Sequence, residues 1–279
     1  MKMFNKVMIF GTGLIGGSMG LALKRKHLAG QVMGFSHHKK NAELAKKMGA
    51  IDRIVSSLEE ARDADLVILA APVDSIMDIA PNLAKRLKRD CLVIDVASTK
   101  EKIVSRLSSL IPNFVGCHPL AGSEKKGIVN AQVNIFTGSI CVITPIASTK
   151  KSVLNKIESL WRKLGTQVFL LPPARHDRVL AFTSHLPHAV AFSLMGTIPD
   201  KFLKISSTGL KDATRISGSD QVLWSEIFLS NRKNLLASIS SFQTKLAALK
   251  LALENKDMQR LTKILSAARK KRERLLKVQ

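Results

Sequence analysis

Apolar residues recur along this chain in two periods, and the change from one to the other divides it. From residue 5 to about 170, short apolar runs alternate with longer amphipathic stretches. The runs 6–10, 32–35, 66–70, 91–95, 114–117, 140–144 and 167–170 have the length and β-branched content of buried strands. Between them, 16–26, 42–48, 75–87, 101–110 and 149–164 carry the spacing of helices. Strand and helix in alternation predict a largely parallel, doubly wound sheet with helices on both faces, an α/β fold of Rossmann type. Leu171-Pro172-Pro173 interrupts the pattern and predicts a boundary between domains 1–171 and 172–279. Beyond it the pattern is helical almost throughout. Leu223, Ile227, Leu235, Ile239, Phe242, Leu246 and Leu249 fall at helical intervals over 222–251, and a further helix is expected over about 256–276. An all-α domain with apolar faces too long for one small core predicts a homodimer built through those helices.

Composition narrows this picture only in places. Cys91, Cys117 and Cys141 lie in apolar stretches, which reads as free thiols in a reducing compartment. The apolar segment after Lys6 is broken by glycines and turn signals and lacks a clear cleavage site, unlike a secretory leader. The apolar run 179–195 contains His185, Pro187 and His188, so a buried helix is expected there, not a membrane span. Together these predict a soluble, cytoplasmic protein. The net charge of +23 admits nucleic acid, an acidic surface or small anions as partners. The basic residues are spread along the chain without interleaved aromatics, and only Arg269-Lys270-Lys271-Arg272 with Arg274 and Lys277 forms a run, so a solvated basic helix end is expected. With no tyrosine in the chain, no phenolic side chain takes part in its chemistry.

The first chemical motif is Gly11-Thr12-Gly13-Leu14-Ile15-Gly16-Gly17-Ser18, which follows an apolar run and opens a helical stretch. In that context Gly11 permits a tight turn, Gly13 admits a pyrophosphate to the backbone, and Gly16 lets helix and strand pack closely. Free N–H groups at the start of the helix, from Leu14 and Ile15 onward, face the phosphates with the helix dipole behind them. About twenty residues on, where an acid would bind the ribose of NAD, stand Ser36, His37, His38, Lys39 and Lys40. A small hydroxyl among cationic groups suits a 2′-phosphate, so NADP is the expected cofactor, with NAD as the alternative. The ends of two further runs, at Ala71-Pro72 and at Ala97-Ser98, are expected to line the nicotinamide side of the same crevice.

Three polar clusters remain: Gly116-Cys117-His118-Pro119-Leu120-Ala121-Gly122-Ser123-Glu124, Ser184-His185-Leu186-Pro187-His188, and Gly209-Leu210-Lys211-Asp212-Ala213-Thr214-Arg215. Alone, each histidine is somewhat better explained by a satisfied structural group than by a catalyst. A metal pair at His185 and His188 would need a nearby carboxylate that the sequence does not supply. Taken in order with the glycine motif, the clusters resemble the prephenate/arogenate dehydrogenase family of tyrosine biosynthesis, over about residues 5–250. His-Pro-Leu-Ala-Gly and Ser-His-Leu-Pro-His are the most specific parts of the match.

The resemblance implies a Rossmann domain followed by a helical dimerisation domain. It also implies an oxidative decarboxylation, in which hydride leaves the ring carbon bearing the 4-hydroxyl and CO2 loss makes the ring aromatic. On this reading His118 is the base for the hydroxyl proton, and Ser98 hydrogen-bonds near that hydroxyl or the nicotinamide. Arg215 clamps a substrate carboxylate, His188 contacts a carboxylate, His185 supports the cofactor side and Trp224 walls the pocket. Prephenate and arogenate differ by keto against amino on the side chain. His188 favours the anionic end of prephenate, whereas Glu124 would suit the ammonium of arogenate. Lys211 departs from the family pattern, standing where many relatives carry Arg. Two other readings compete: a Rossmann-plus-helical dehydrogenase or reductase of a 3-hydroxy acid or cyclic imine, which leaves the histidine clusters unexplained, and a basic nucleic-acid-binding protein.

Overall fold

The computed structural model describes residues 2–121 and 126–277. It divides into two compact units, one ending at Arg232 and the other beginning at Lys233. The first is organised by an eight-stranded sheet: β1 (Phe4–Phe10), β2 (Ala29–Phe35), β3 (Arg53–Ile54), β4 (Leu66–Leu69), β5 (Leu92–Asp95), β6 (Phe114–Pro119), β7 (Ile140–Thr144) and β8 (Gln167–Leu170). Their order is β3-β2-β1-β4-β5-β6-β7-β8, parallel throughout except where β7 runs antiparallel to β6. The first six strands therefore have the doubly wound order, with its reversal between β1 and β4.

The central strands are apolar along most of their length because both faces of the sheet are covered there. Val7 and Ile9 of β1 point into one core with Ile68, Ile94, Leu160 and Trp161. Met8 and Phe10 point into the other with Leu69, Val93, Ile103 and Leu107. Each such side chain contributes roughly 1.5–3 kcal/mol by leaving water. The covering helices are α1 (Leu14–Arg25), α2 (Lys39–Lys47), α3 (Val73–Ala84), α4 (Glu101–Leu110) and α5 (Lys151–Leu164). In α5 the buried residues Val153, Ile157, Leu160, Trp161 and Leu164 follow the helical repeat, and Gly165 ends it at φ +97°. All three cysteines are buried and free, as expected.

The rest of the first unit is helical: α6 (Pro173–Leu180), a π-helical turn (Ala181–His185), α7 (Leu186–Thr197), α8 (Thr208–Thr214) and α9 (Gln221–Ser230). The second unit holds most of α10 (Arg232–Glu254) and all of α11 (Met258–Lys277). Phe242, Leu246, Leu253, Met258 and Leu265 stand exposed there.

Three expectations need correcting. The single helix expected over 222–251 is two, interrupted at Asn231. The two-residue strand β3 was not anticipated, being too short to show a period. The run 179–195 is helical but not buried, since only 22% of the most apolar window in the continuous stretch Pro173–Thr197 is covered. Its apolar residues go round the helix, so a single chain leaves Val179, Phe182 and Leu194 exposed.

Candidate active site

Side chains capable of chemistry gather at the carboxyl ends of the strands, and they do so because of how β1, β4, β5 and β6 end. Gly11 leaves β1 at φ +92°, and a Cβ there would lie 2.2 Å from the carbonyl oxygen of Ala70, at the end of β4. A Cβ on Gly16 would meet the Gly11 carbonyl at 1.8 Å. Only glycine allows the turn and the helix to close on the β1–β4 reversal. Gly13 is different: nothing lies within 4 Å of where its Cβ would stand. The helix α1 that follows has no side-chain cap and no acid in its first turn, so the amides of Leu14 and Ile15 open into that space with the positive end of the dipole. Thr12 Oγ1, between the glycines, is buried and unpartnered. Loop, open space and orphan hydroxyl together fit a bound dinucleotide.

Ser36 is half-buried at the end of β2, where its hydroxyl accepts from the His38 amide at 3.3 Å. The His37 ring packs edge-on to Phe35, and Lys39 is exposed at the start of α2. Across the reversal, Ala71 and Pro72 precede α3. On the next strand Asp95 is fully buried. Its carboxylate accepts from the amides of Ala97 (3.0 Å) and Cys117 (3.3 Å) and pairs with the equally buried Nζ of Lys100. Burial pushes the Asp95 carboxyl up, against the pull of Lys100 and both amides. Gly116 makes room for this pair, since a Cβ there would press on the stem of Lys100 and on Thr144. The turn so pinned carries half-buried Ser98.

His118 lies at the end of β6 and is 8% exposed. Its Nδ1 lies 2.9 Å from Nε2 of His176 in α6, and Nδ1 of His176 lies 2.7 Å from Oδ1 of Asp177. Asp177 accepts in turn from the amides of Lys100 (2.7 Å) and Glu101 (2.9 Å), capping the start of α4. Burial, then the charges of His176, Lys100 and His185, hold the His118 pKa well below its ordinary value. A neutral imidazole with one nitrogen engaged and the other, Nε2, without a partner among the described residues is equipped to accept a proton.

The π-helical turn brings a second histidine pair to the same place. His185 is buried, with Nδ1 3.1 Å from Nδ2 of Asn231, and burial lowers its pKa to about 4. Because the Asn231 amide donates, the His185 proton sits on Nε2, which is buried without a partner. Such a donor costs about 1–3 kcal/mol unless a ligand meets it. His188 donates through Nδ1 to the Ser184 carbonyl (3.0 Å) and stacks on Trp224 at 3.4 Å between ring centroids. Burial and the charge of Arg215 lower its pKa against the pull of the Ser184 carbonyl. Arg215 itself is exposed, in the turn after α8 that packs on α7. Glu124 lies outside the described residues.

Sequence reading did not select His176, Asp177 or Asn231. The His-Asp pair just beyond the two prolines was the available signal, a polar couple on the side of α6 that also carries Leu180.

The model of the nucleotide-binding domain of prephenate dehydrogenase matches residues 19–170, and that of its dimerization domain matches residues 172–267. The prephenate dehydrogenase of Bacillus subtilis is 30% identical over 98% of this chain and 77% of its own. The cyclohexadienyl dehydrogenase of Zymomonas mobilis is 31% identical over 92% of this chain and 91% of its own. The structure of Aquifex aeolicus prephenate dehydrogenase with hydroxyphenyl propionate and NAD+ superposes with a TM-score of 0.91 at 33% identity, covering 97% of this chain and 98% of that one. Synechocystis arogenate dehydrogenase superposes with a TM-score of 0.84 at 28% identity, over 97% and 99% of the two chains.

Proposed function

The chain belongs to the prephenate dehydrogenase family, and from that premise we propose that His118 is the base of its reaction. The reaction is the oxidative decarboxylation of prephenate, arogenate or both, with NAD(P) as oxidant. The bound cofactor supplies the hydride acceptor. The chain's own residues orient the ring, hold its carboxylates and manage one proton. His118 takes the 4-hydroxyl proton at Nε2 while Ser98, on the neighbouring strand end, hydrogen-bonds to the same region. The Nε2 of His118, without a partner among the described residues at the carboxyl end of β6 while Nδ1 is engaged by His176, is the observation that carries this reading.

His188 is held by Ser184 and Trp224 with its Nδ1 proton on the Ser184 carbonyl, so its Nε2 can donate to a substrate carboxylate only when that anion draws a second proton onto the ring. Arg215 supplies the charge for that carboxylate, and the orphan donor of His185 meets the cofactor side. Leu14, Ile15, Ala71, Pro72 and Ala97 line the dinucleotide. Arg215, together with His188 once it is protonated, favours the anionic side chain of prephenate over the ammonium of arogenate. Ser36, with His37 and Lys39 beside it and no acid in place, favours NADP over NAD. Residues 172–279 form the substrate and dimerisation domain of a cytoplasmic homodimer, a reading supported by the dimerization-domain match and the exposed apolar side chains of α10 and α11.

The test is a spectrophotometric assay of nicotinamide reduction that crosses both cofactors with both substrates. Turnover is expected to be best with NADP and prephenate, and no reduction with either substrate would refute the reading. Ser36→Asp places a carboxylate against a 2′-phosphate, so it should raise the KM for NADP about tenfold or more and leave that for NAD within about twofold. Equal kcat/KM for the two cofactors in the unaltered enzyme would remove the argument from Ser36. Arg215→Ala should chiefly raise the substrate KM, with a loss of about 2–4 kcal/mol in kcat/KM. An unchanged KM would take Arg215 out of the substrate site.

A further inference from the structure

His118 does not stand alone, and the groups behind it decide which of its nitrogens is free. Both oxygens of Asp177 accept main-chain amides at the start of α4, so the group acts there as an acceptor and His176 Nδ1 must donate to it. A neutral His176 with its proton on Nδ1 has a bare Nε2. That nitrogen therefore accepts from His118 Nδ1 at 2.9 Å, which leaves His118 with its proton on Nδ1 and its lone pair on Nε2. One carboxylate thus sets the tautomer of two rings in succession. All three side chains are buried, His176 completely, so water does not compete for these bonds.

We propose that His176 and Asp177 are positioning residues for the base and form a relay that stores the substrate's proton during turnover. This rests on the reading of His118 as base. As the hydroxyl proton reaches His118 Nε2, the proton on His118 Nδ1 passes to His176 Nε2, making an imidazolium beside the Asp177 carboxylate. The carbon–hydrogen pair leaves as hydride to NAD(P), and the carbon–oxygen double bond forms. When CO2 departs, the electrons of its carbon–carbon bond enter the ring and the carbonyl oxygen becomes a phenolate. The relay then runs backwards, and His118 Nε2 returns the proton to that oxygen. Dianion and oxidised cofactor become monoanion, CO2 and reduced cofactor for prephenate, with no proton lost or gained overall. A buried store is therefore better suited to this reaction than an outlet to solvent.

The direct test is nitrogen-15 NMR of histidine-labelled full-length protein, with signals assigned from the His118→Asn and His176→Gln spectra. Both rings are expected to carry the proton on Nδ1, the tautomer less favoured in free histidine. A His118 proton on Nε2 would overturn the proposal. Kinetics supply the second readout. His176→Leu removes both acceptor and proton store and should lower kcat about 10²-fold with KM within about twofold. His176→Gln keeps an acceptor for His118 Nδ1 and should recover about tenfold of that loss. If Leu prevents folding, the Gln variant and the NMR of the unaltered protein still decide. Full kcat in both variants, with His118→Asn inactive, would discard the relay and leave His118 as the base. Activity retained in His118→Asn would instead remove the reading on which the relay depends.

Discussion

Replacing His118 with Asn is expected to lower kcat by about 10²- to 10⁴-fold while leaving the substrate KM within about threefold. The amide keeps the size of the ring and a hydrogen bond toward His176, so binding and packing change little. What is lost is a proton acceptor used only as the hydroxyl ionises, and a group that acts in the transition state appears in kcat. The pH dependence carries the same signature with a definite sign. The base works in its neutral form, and burial with the charges of His176, Lys100 and His185 holds its pKa well below the ordinary 6.5. Protonation, and with it loss of activity, should therefore begin only at lower pH than for a free imidazole. The kcat/KM profile of the unaltered enzyme is expected to stay flat as pH falls through 6.5 and to decline below that. An acid limb centred near 6.5 would show that the group being titrated is not this buried ring.

The glycine loop and the strand ends were legible because their chemistry is local. A turn that only glycine can make, next to an apolar run, states its own geometry, and Gly11 and Gly16 close on β4 as that reasoning requires. The place of His118 at a strand end was legible for a similar reason, since the residue sits in a short distinctive string. Its partners were not. His176 reaches it across 58 positions of sequence, and no spacing rule links a strand end to a helix beyond a double proline. The break at Asn231 is illegible in the same way, because the apolar repeat runs straight through it. The chain stops being one helix there and the Asn231 amide turns to the Asp177 carbonyl (2.7 Å) and to His185 (3.1 Å), an arrangement that exists only once the fold has formed. The exposed apolar run of α6 and α7 makes the opposite point. Its composition was read as burial, but composition does not say which chain does the burying.

The other large effect is expected at Lys100, a residue the reaction does not touch. Lys100→Met keeps most of the buried stem and the contacts with β6 but strands the Asp95 carboxylate, which is wholly buried and keeps, among the described residues, the amides of Ala97 and Cys117. Removing one partner of such a pair costs about 3–5 kcal/mol, whereas replacing both by neutral groups of similar shape costs far less. In a domain of this size that corresponds to roughly 10 °C in Tm. The double variant Asp95→Asn, Lys100→Met should recover most of the loss, and calorimetry of the three proteins checks it. Equal Tm in the single variant and the parent would mean that Asp95 is buried neutral and that the pair adds nothing. Activity should respond as well, through electrostatics rather than contact. The ammonium of Lys100 is one of the charges that disfavour protonation of His118 and His176, so its removal raises both pKa values. The acid limb of kcat/KM should accordingly move to higher pH in Lys100→Met. A buried ion pair thus acts twice: it pins the turn that carries Ser98 between β5 and α4, and it keeps the base neutral at the pH where the enzyme must accept a proton.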